Sequence, residues 1–529
     1  VSFQQYIRWF YYTGLVGIIA GMSISKPGIS VGISVCLLAW LLEKDLFERI
    51  KSLKNQPFFW ISLALVLLHL AGLLWSDNIA YGLKDTKTKL PLLLLPLIFL
   101  SSKAFHLKNE MTFIKFIFIS SLIVCTLFSF GIYFHWIKPA QYNPADIRTM
   151  IFGVSGVRLA LFICLALCFL VFDIYHQKKW QMRFLLFGIA VWFLFFLNFI
   201  ESGTAVVFII ILVAYSFLYI ILVRFSRVKQ IIVFSLGFLV LVTSGIIFYS
   251  FVTSMMVKKP NPVKGNLTKR GEEYKNYTKL PYLENGYVVG NYIAIYELMD
   301  AWNKRSDIKI GKYDKKGQTI LSTLLRYLNS KGGVKDAEAV ENLSQQDVLN
   351  IENGVANYHY QHMFGWQKRL MQIVFEFESY RMGLNPFGNS VTQRFEYWKI
   401  ALNLFSENKI IGIGTGDVKE AYEEAYKKYS FNIDPRFKLR AHNQYLTMAA
   451  TFGLVGFVLF LLYAFSLVWT KSYKEYPYFT FAFFIIMIFS FLSEDTLETQ
   501  SGVTFIVFFH TLFHLRSNSH EGTKTQISR

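Results

Sequence analysis

Residues 203–223 read GTAVVFIIILVAYSFLYIILV, and none of them carries a charge. A helix rises about 1.5 Å per residue, so a run of this length matches the ~30 Å hydrocarbon core of a bilayer. Comparable apolar runs recur before it, near residues 5–24, 28–42, 57–75, 88–101, 112–137, 152–174 and 182–200. Others follow it, near 229–257, 444–470, 477–492 and 500–516. Together they predict an all-α polytopic membrane protein with about twelve transmembrane helices. The runs at 28–42, 88–101 and 477–492 are short, and are expected to tilt or to merge with neighbours. The first run has no small-x-small cleavage site before the next begins, and is read as a span rather than a removable leader.

The composition agrees. Of 529 residues, 53% are apolar, 18% aromatic and only 17% charged, against about 25% charged in soluble domains. This excludes a disordered chain, a collagen or a small disulfide scaffold. The 52 phenylalanines suit lipid-facing and helix-packing surfaces. Cys36, Cys125, Cys164 and Cys168 all lie inside apolar runs with no C-x-x-C pair, and are read as buried thiols. The net charge is 54 − 35 = +19. With no nucleic-acid-binding fingerprint in the chain, that excess is read as cytoplasmic loop charge, not as a nucleic-acid footprint.

Loop charges set the expected orientation. One set of loops holds Lys44, Arg49, Lys51 and Lys54, then Lys103 and Lys108, then Lys178, Lys179 and Arg183, then Arg224, Arg227 and Lys229, then Lys471 and Lys474. The opposite set is poor in bases, with Lys84, Lys87, Lys89, Lys138 and Arg148 as exceptions. Both termini are therefore expected in the cytoplasm, and the long polar segment 258–390 on the outer side. Four units follow: a nine-span bundle over 1–257, a large outer loop domain over 258–443, further spans over 444–516 and a tail over 517–529. Residues 319–330 and 335–350 have helical composition, so the loop is expected to be mostly helical.

The most informative stretch is 390–456. From Arg394, the residues Phe395, Trp398, Leu402 and Phe405 keep helical spacing, widened by Tyr397, Ile400 and Leu404. This predicts an amphipathic helix at the membrane surface. Gly412-Ile413-Gly414-Thr415-Gly416-Asp417 follows. It does not fit G-x-G-x-x-G and is read as a tight turn. Asp417 and Glu420 are spaced as a capping box. Asp434-Pro435 then breaks the chain, and Arg440-Ala441-His442-Asn443-Gln444 leads into the next span.

The order Arg394…Trp398…Ala401, the glycine turn, His442-Asn443-Gln444-Tyr445-Leu446 and Gly453-Leu454-Val455-Gly456 resembles the O-antigen ligase/polymerase superfamily. Ser493-Glu494-Asp495-Thr496-Leu497-Glu498-Thr499-Gln500 and the single large outer loop resemble it too. The motif likeness covers about 390–510; layout alone covers the rest. The resemblance implies a GT-C-like helical enzyme of the bacterial inner membrane, with its active site facing the periplasm. Its donor would be an undecaprenyl-diphosphate-linked glycan. Its acceptor would be a hydroxyl of lipid A core, of another lipid-linked glycan (a polymerase) or of a protein. The resemblance further implies metal-independent, inverting transfer with no cofactor.

Such a reaction needs a base for the acceptor hydroxyl and cations for the leaving diphosphate. His442 suits the base by its pKa range; its plain reading is a helix-start cap. Arg394 suits the diphosphate, or else snorkels to headgroups. Arg158, at the start of an apolar run, and Lys89, before Leu90-Pro91, are candidate phosphate or glycan contacts. Asn443 either binds sugar or caps the helix. Glu201 and Glu494 are candidate substrate contacts, with a solvated loop acid as the plain reading of each. Many superfamily members carry a Ser-Arg pair where this chain has Ser202-Gly203, which leaves open whether Arg158 or Lys89 substitutes. His359 and His362 lack the cysteines or acids of a zinc site. A transporter of lipid-linked glycan is the rival class, but no internal repeat supports it.

Overall fold

The computed structural model describes residues 3–105, 107–137, 150–224, 265–278, 280–281, 283–429, 437–469 and 476–515, with scattered positions between 226 and 263. The expected span 229–257 lies largely outside the described residues. Asp434-Pro435 and the tail 517–529 lie wholly outside them.

The chain is a helical multi-pass membrane protein. Six described helices are long and apolar enough to cross a bilayer, and three shorter apolar helices accompany them. Helices α1 (Phe3–Ile24) and α2 (Lys26–Leu42) form a hairpin turned at Ser25, whose side chain accepts from Gly28 N–H at 3.3 Å. They approach so closely that a Cβ on Gly32 would lie 2.4 Å from Ile18 N. Small residues allow that approach.

A short helix α3 (Leu46–Ser52) leads to α4 (Pro57–Ala71), α5 (Ile79–Lys89) and α6 (Pro91–Ser101). The apolar run expected at 88–101 is thus shorter, because Pro91 opens a new helix there. Its missing N–H is harmless in a first turn. The polar α5 starts at Asn78, whose side chain accepts from Tyr81 N–H at 3.0 Å. Next come α7 (Leu107–Tyr133), α8 (Gly156–His176), α9 (Trp180–Phe199) and α10 (Gly203–Arg224).

The segment after 258 carries a two-residue antiparallel pair, β1 (Leu283–Glu284) and β2 (Tyr287–Val288). Four helices follow: α11 (Ile295–Arg305), α12 (Ile320–Lys331), α13 (Ala337–Glu341) and α14 (Gln345–Glu352). They bury a core of their own around Leu298, Trp302, Leu324, Tyr327 and Ile351. Helix α15 (Gly365–Arg381) docks this unit on the bundle. A Cβ on Gly365 would lie 2.2 Å from Asn198 O, so only glycine lets the backbones meet there.

Helices α16 (Thr392–Glu407) and α17 (Val418–Tyr429) then lead to α18 (Gln444–Trp469), α19 (Pro477–Ser493) and α20 (Gln500–His514). Helix α20 is buried from Ser501 to His514. Its phenylalanines meet those of other spans, with Phe162–Phe505 ring centroids at 4.5 Å and Phe118–Phe509 at 5.1 Å. The apolar stripe of α16 is divided between two surroundings. Tyr397, Ile400, Ala401 and Leu404 are buried against protein, while Phe395, Trp398, Leu402 and Phe405 remain partly or largely exposed. The helix packs its apolar face on α17 and α18.

Helix α18 is kinked at Gly453, with φ 62° and ψ −155°, a region open essentially to glycine alone. The glycine turn fills the break. Ile413 and Gly414 N–H donate to the carbonyls of Ala450 and Thr451 at 3.1 and 2.9 Å. Leu454 and Val455 N–H donate to Lys409 and Ile410 carbonyls at 2.7 and 3.3 Å. In an unbroken helix those two pairs would bond each other. The turn is fixed on its other side by Thr415 Oγ1, which donates to His69 O at 2.7 Å, and by Gly416 N–H, which donates to Ser76 Oγ at 2.9 Å. Asp417 and Glu420, spaced as a capping box, both reach across to α5. Asp417 accepts from the Asp77 and Asn78 amides, and Glu420 from Asn78 Nδ2 at 2.9 Å.

Candidate functional site

The segment Glu494 to Glu498, between α19 and α20, gathers most of the charged candidates at one end of the bundle. Glu494 is 8% exposed and accepts from two sides. Arg394 Nη2 donates to its Oε1 at 3.1 Å, and His442 Nδ1 lies 3.3 Å from its Oε2. Asp495 accepts the backbone N–H of His442 at 2.9 Å, that of Asn443 at 3.2 Å and the Thr447 hydroxyl at 2.6 Å. One short acidic segment therefore fixes both the ring and the backbone of His442. The backbone needs fixing, since His442 holds φ 47°, a left-handed conformation uncommon for a non-glycine residue.

The electrostatics follow from these contacts. Burial works against a charged imidazole at 442, yet the hydrogen bond and charge of Glu494, with Asp495 behind it, carry its pKa above the ordinary value. Burial likewise works against the Glu494 carboxylate, but His442, Arg394 and Arg158 hold its pKa below the usual range. Asp495 moves the other way, pushed up by burial. A carboxylate only accepts hydrogen bonds, so Glu494 fixes the proton of a neutral His442 on Nδ1 and leaves Nε2 as an acceptor.

Arg158 starts α8 within electrostatic reach of Glu494 and Asp495, and its Nη1 donates to Ser155 Oγ at 3.1 Å. Among the described residues, Arg158 Nε, Arg394 Nε and the Tyr397 hydroxyl are buried with no hydrogen-bond partner. Buried donors rarely stay empty. Asn443 uses its side-chain oxygen to accept Leu446 N–H at 3.2 Å, so it caps α18. Lys89 is 1% exposed, with Nζ 2.9 Å from Asp85 and 2.6 Å from Glu498. Arg440 joins Glu498 from the other side and lies 3.6 Å from Asp85. The structure thus sets Lys89 inside an ion network that ties α5 to the 494–498 segment.

Glu201, with φ 51°, ends the α9–α10 turn and lies 3.3 Å from Lys368 Nζ. Beside it, Gly203 leaves room for an arginine from elsewhere. A Cβ there would sit 3.1 Å from Arg369 Cγ and 3.4 Å from its Nε. Arg369, on α15, is bonded to Ser390 and lies 3.1 Å from Glu376. The sequence reading missed Arg369; its neighbour Lys368 and the acids Glu376 and Glu378 mark a charged face of α15 as the one available signal. Arg369 and Arg394 line one cavity of about 360 Å³ between α8, α10, α19 and the start of α16. Gly203, Val207, Phe208, Phe489 and Leu492 make the rest of that wall largely apolar. A cavity with guanidiniums on an apolar wall suits an amphiphile with an anionic head.

A family model described as O-antigen ligase matches residues 354–461. The match begins just ahead of α15 and runs into α18, so it takes in Arg369, Arg394, the glycine turn and His442. No curated protein matches the chain.

Proposed function

We propose that the chain, whose residues 354–461 match a family model described as O-antigen ligase, transfers a glycan from undecaprenyl diphosphate to a lipid A core sugar hydroxyl. The acceptor hydroxyl gives its proton to His442 Nε2. Its oxygen attacks the anomeric carbon of the donor, and the bond from that carbon to the phosphate oxygen breaks. The electron pair leaves with undecaprenyl diphosphate, whose charge Arg394 and Arg369 hold in the cavity they line. One displacement inverts the anomeric centre. Glu494 steadies the imidazolium that forms, and no metal is required. Arg158 is a further diphosphate contact, Glu201 orients sugar or Lys368, Asn443 positions His442 and Lys89 braces the segment.

The observation that carries this reading is the Arg394–Glu494–His442 chain of contacts. It sets a phosphate-type cation and a polarised base on one carboxylate, beside a cavity lined by two arginines. We further propose a GT-C-like bundle of about twelve spans in the bacterial inner membrane, with segment 258–443 and the site on the periplasmic side. The test is transfer by purified protein supplied with native lipid-linked glycan, with and without lipid A core, each with and without chelator. Product on lipid A core in chelator supports the proposal. Longer lipid-linked chains made without that acceptor identify a polymerase. Glycan on a protein hydroxyl identifies a protein O-oligosaccharyltransferase. Glycan carried across a vesicle membrane without transfer identifies a transporter.

A further inference from the structure

A second cavity, of about 480 Å³, lies where the loop unit meets the bundle. It shares Glu201, Arg369 and Ser390 with the first, so the two are adjoining chambers. Their linings differ in chemistry. The first is mainly apolar; the second is walled by amides, charged groups and aromatic rings.

Three of the cations on its wall are paired within the chain, and Lys316 is the fourth. Lys368 faces Glu201 at 3.3 Å, Arg369 faces Glu376 at 3.1 Å, and Arg326 grips Glu284 through two contacts of 2.9 Å. What remains is hydrogen-bonding capacity. Among the described residues, the side chains of Lys316, Tyr360 and Asn389 make no hydrogen bond within the chain. Gln361 uses only its oxygen, accepting from Asn350 Nδ2 at 2.8 Å, which leaves its NH₂ free. Amide and hydroxyl groups that both donate and accept match vicinal sugar hydroxyls, and an ammonium adds a further donor.

We propose that this chamber is a sugar subsite, holding a hydroxyl-rich residue of one of the two glycans that meet at the transfer site. The inference rests on the transferase reading above. It gives the loop unit a role in glycan selection, since Lys316, Tyr360, Gln361 and Asn389 all come from residues 258–390.

The test uses full-length protein in nanodiscs and saturation-transfer NMR. One probe is the oligosaccharide released by mild acid from the host's lipid-linked donor. The other is the lipid-free core oligosaccharide of its lipopolysaccharide. Wild type is compared with Gln361→Ala/Asn389→Ala and with Asn389→Trp, which fills the chamber from a side chain that makes no hydrogen bond among the described residues. The expected result is binding of one probe, weakened about tenfold or more in both variants. Weakened binding of the released donor glycan assigns the chamber to the donor. Weakened binding of the core oligosaccharide assigns it to the acceptor. Absence of binding by both probes, or binding equal in wild type and variants, overturns the subsite. Failure of the transferase reading is a separate result: wild type that transfers no glycan to any acceptor.

Discussion

Replacing Glu494 with glutamine keeps the shape of the side chain and removes the charge that Arg394 and His442 share. At 3.1 and 3.3 Å, each ion pair amounts to about 5 kcal/mol at an effective dielectric near 20. The arginine and histidine side chains keep 21% and 29% exposure, so solvent screening removes much of that. About 2–3 kcal/mol is left for stabilising the imidazolium formed as the acceptor is deprotonated, which is roughly a hundredfold in kcat. The pH dependence has a sign. Glu494 raises the pKa of His442, so the variant's acidic limb moves to lower pH even as its maximum rate falls. Stability follows as well. The raised imidazole contributes fully below its ordinary value of 6.5 and loses that contribution as pH rises through its folded pKa. The depressed carboxylate contributes above its ordinary 4.5 and loses that contribution as pH falls through its folded pKa. The melting temperature of wild type should therefore exceed that of Glu494→Gln most between those two values. Steady-state transfer across pH, with melting curves in detergent, checks both. A variant within threefold of wild type, with an unmoved acidic limb, would refute the reasoning.

His442→Ala should abolish transfer while membrane fractionation shows normal insertion; wild-type turnover would remove it as the base. Arg394→Lys should lose at least tenfold in kcat/KM, because a point charge replaces a two-pronged contact. Arg369→Ala should impair transfer similarly, and Gly203→Arg in that background should recover part of it, since position 203 opens on the space that Arg369 occupies. Gly453→Ala should destabilise the protein by about 2–3 kcal/mol, seen as a lowered melting temperature. Its Cβ would lie 2.4 Å from the Ile410 backbone, and the backbone conformation there is glycine's own.

The membrane helices were legible because each is apolar along its own length. The α5–α6 break was foreshadowed by Pro91, but the apolar run masked it. His442, Arg394 and the 494–498 acids were found as separate motifs; that one carboxylate joins two of them depends on how α16, α18 and α19 converge. Arg369 was not legible. It reaches Gly203 because Gly365 docks on Asn198, a contact that no local pattern encodes. The α16 stripe was only half legible for a related reason. Periodicity gives an apolar face without saying whether lipid or protein covers it. The glycine turn was recognised as a turn, while its partner, the kink at Gly453, has no signal apart from that turn.

That kink has a consequence for biogenesis. A span entering the membrane with a broken ladder exposes two carbonyls and two amides to hydrocarbon, each unsatisfied group costing several kcal/mol. The four bonds that close the break come from residues 409–414, which leave the ribosome before the span does. That turn is itself fastened to His69 and Ser76, at the end of a helix made much earlier. Residues 444–469 therefore reach their final shape only on a bundle whose first half is already in place. A chain assembled in the wrong order would keep the span straight and carry His442, at its head, out of register with Glu494.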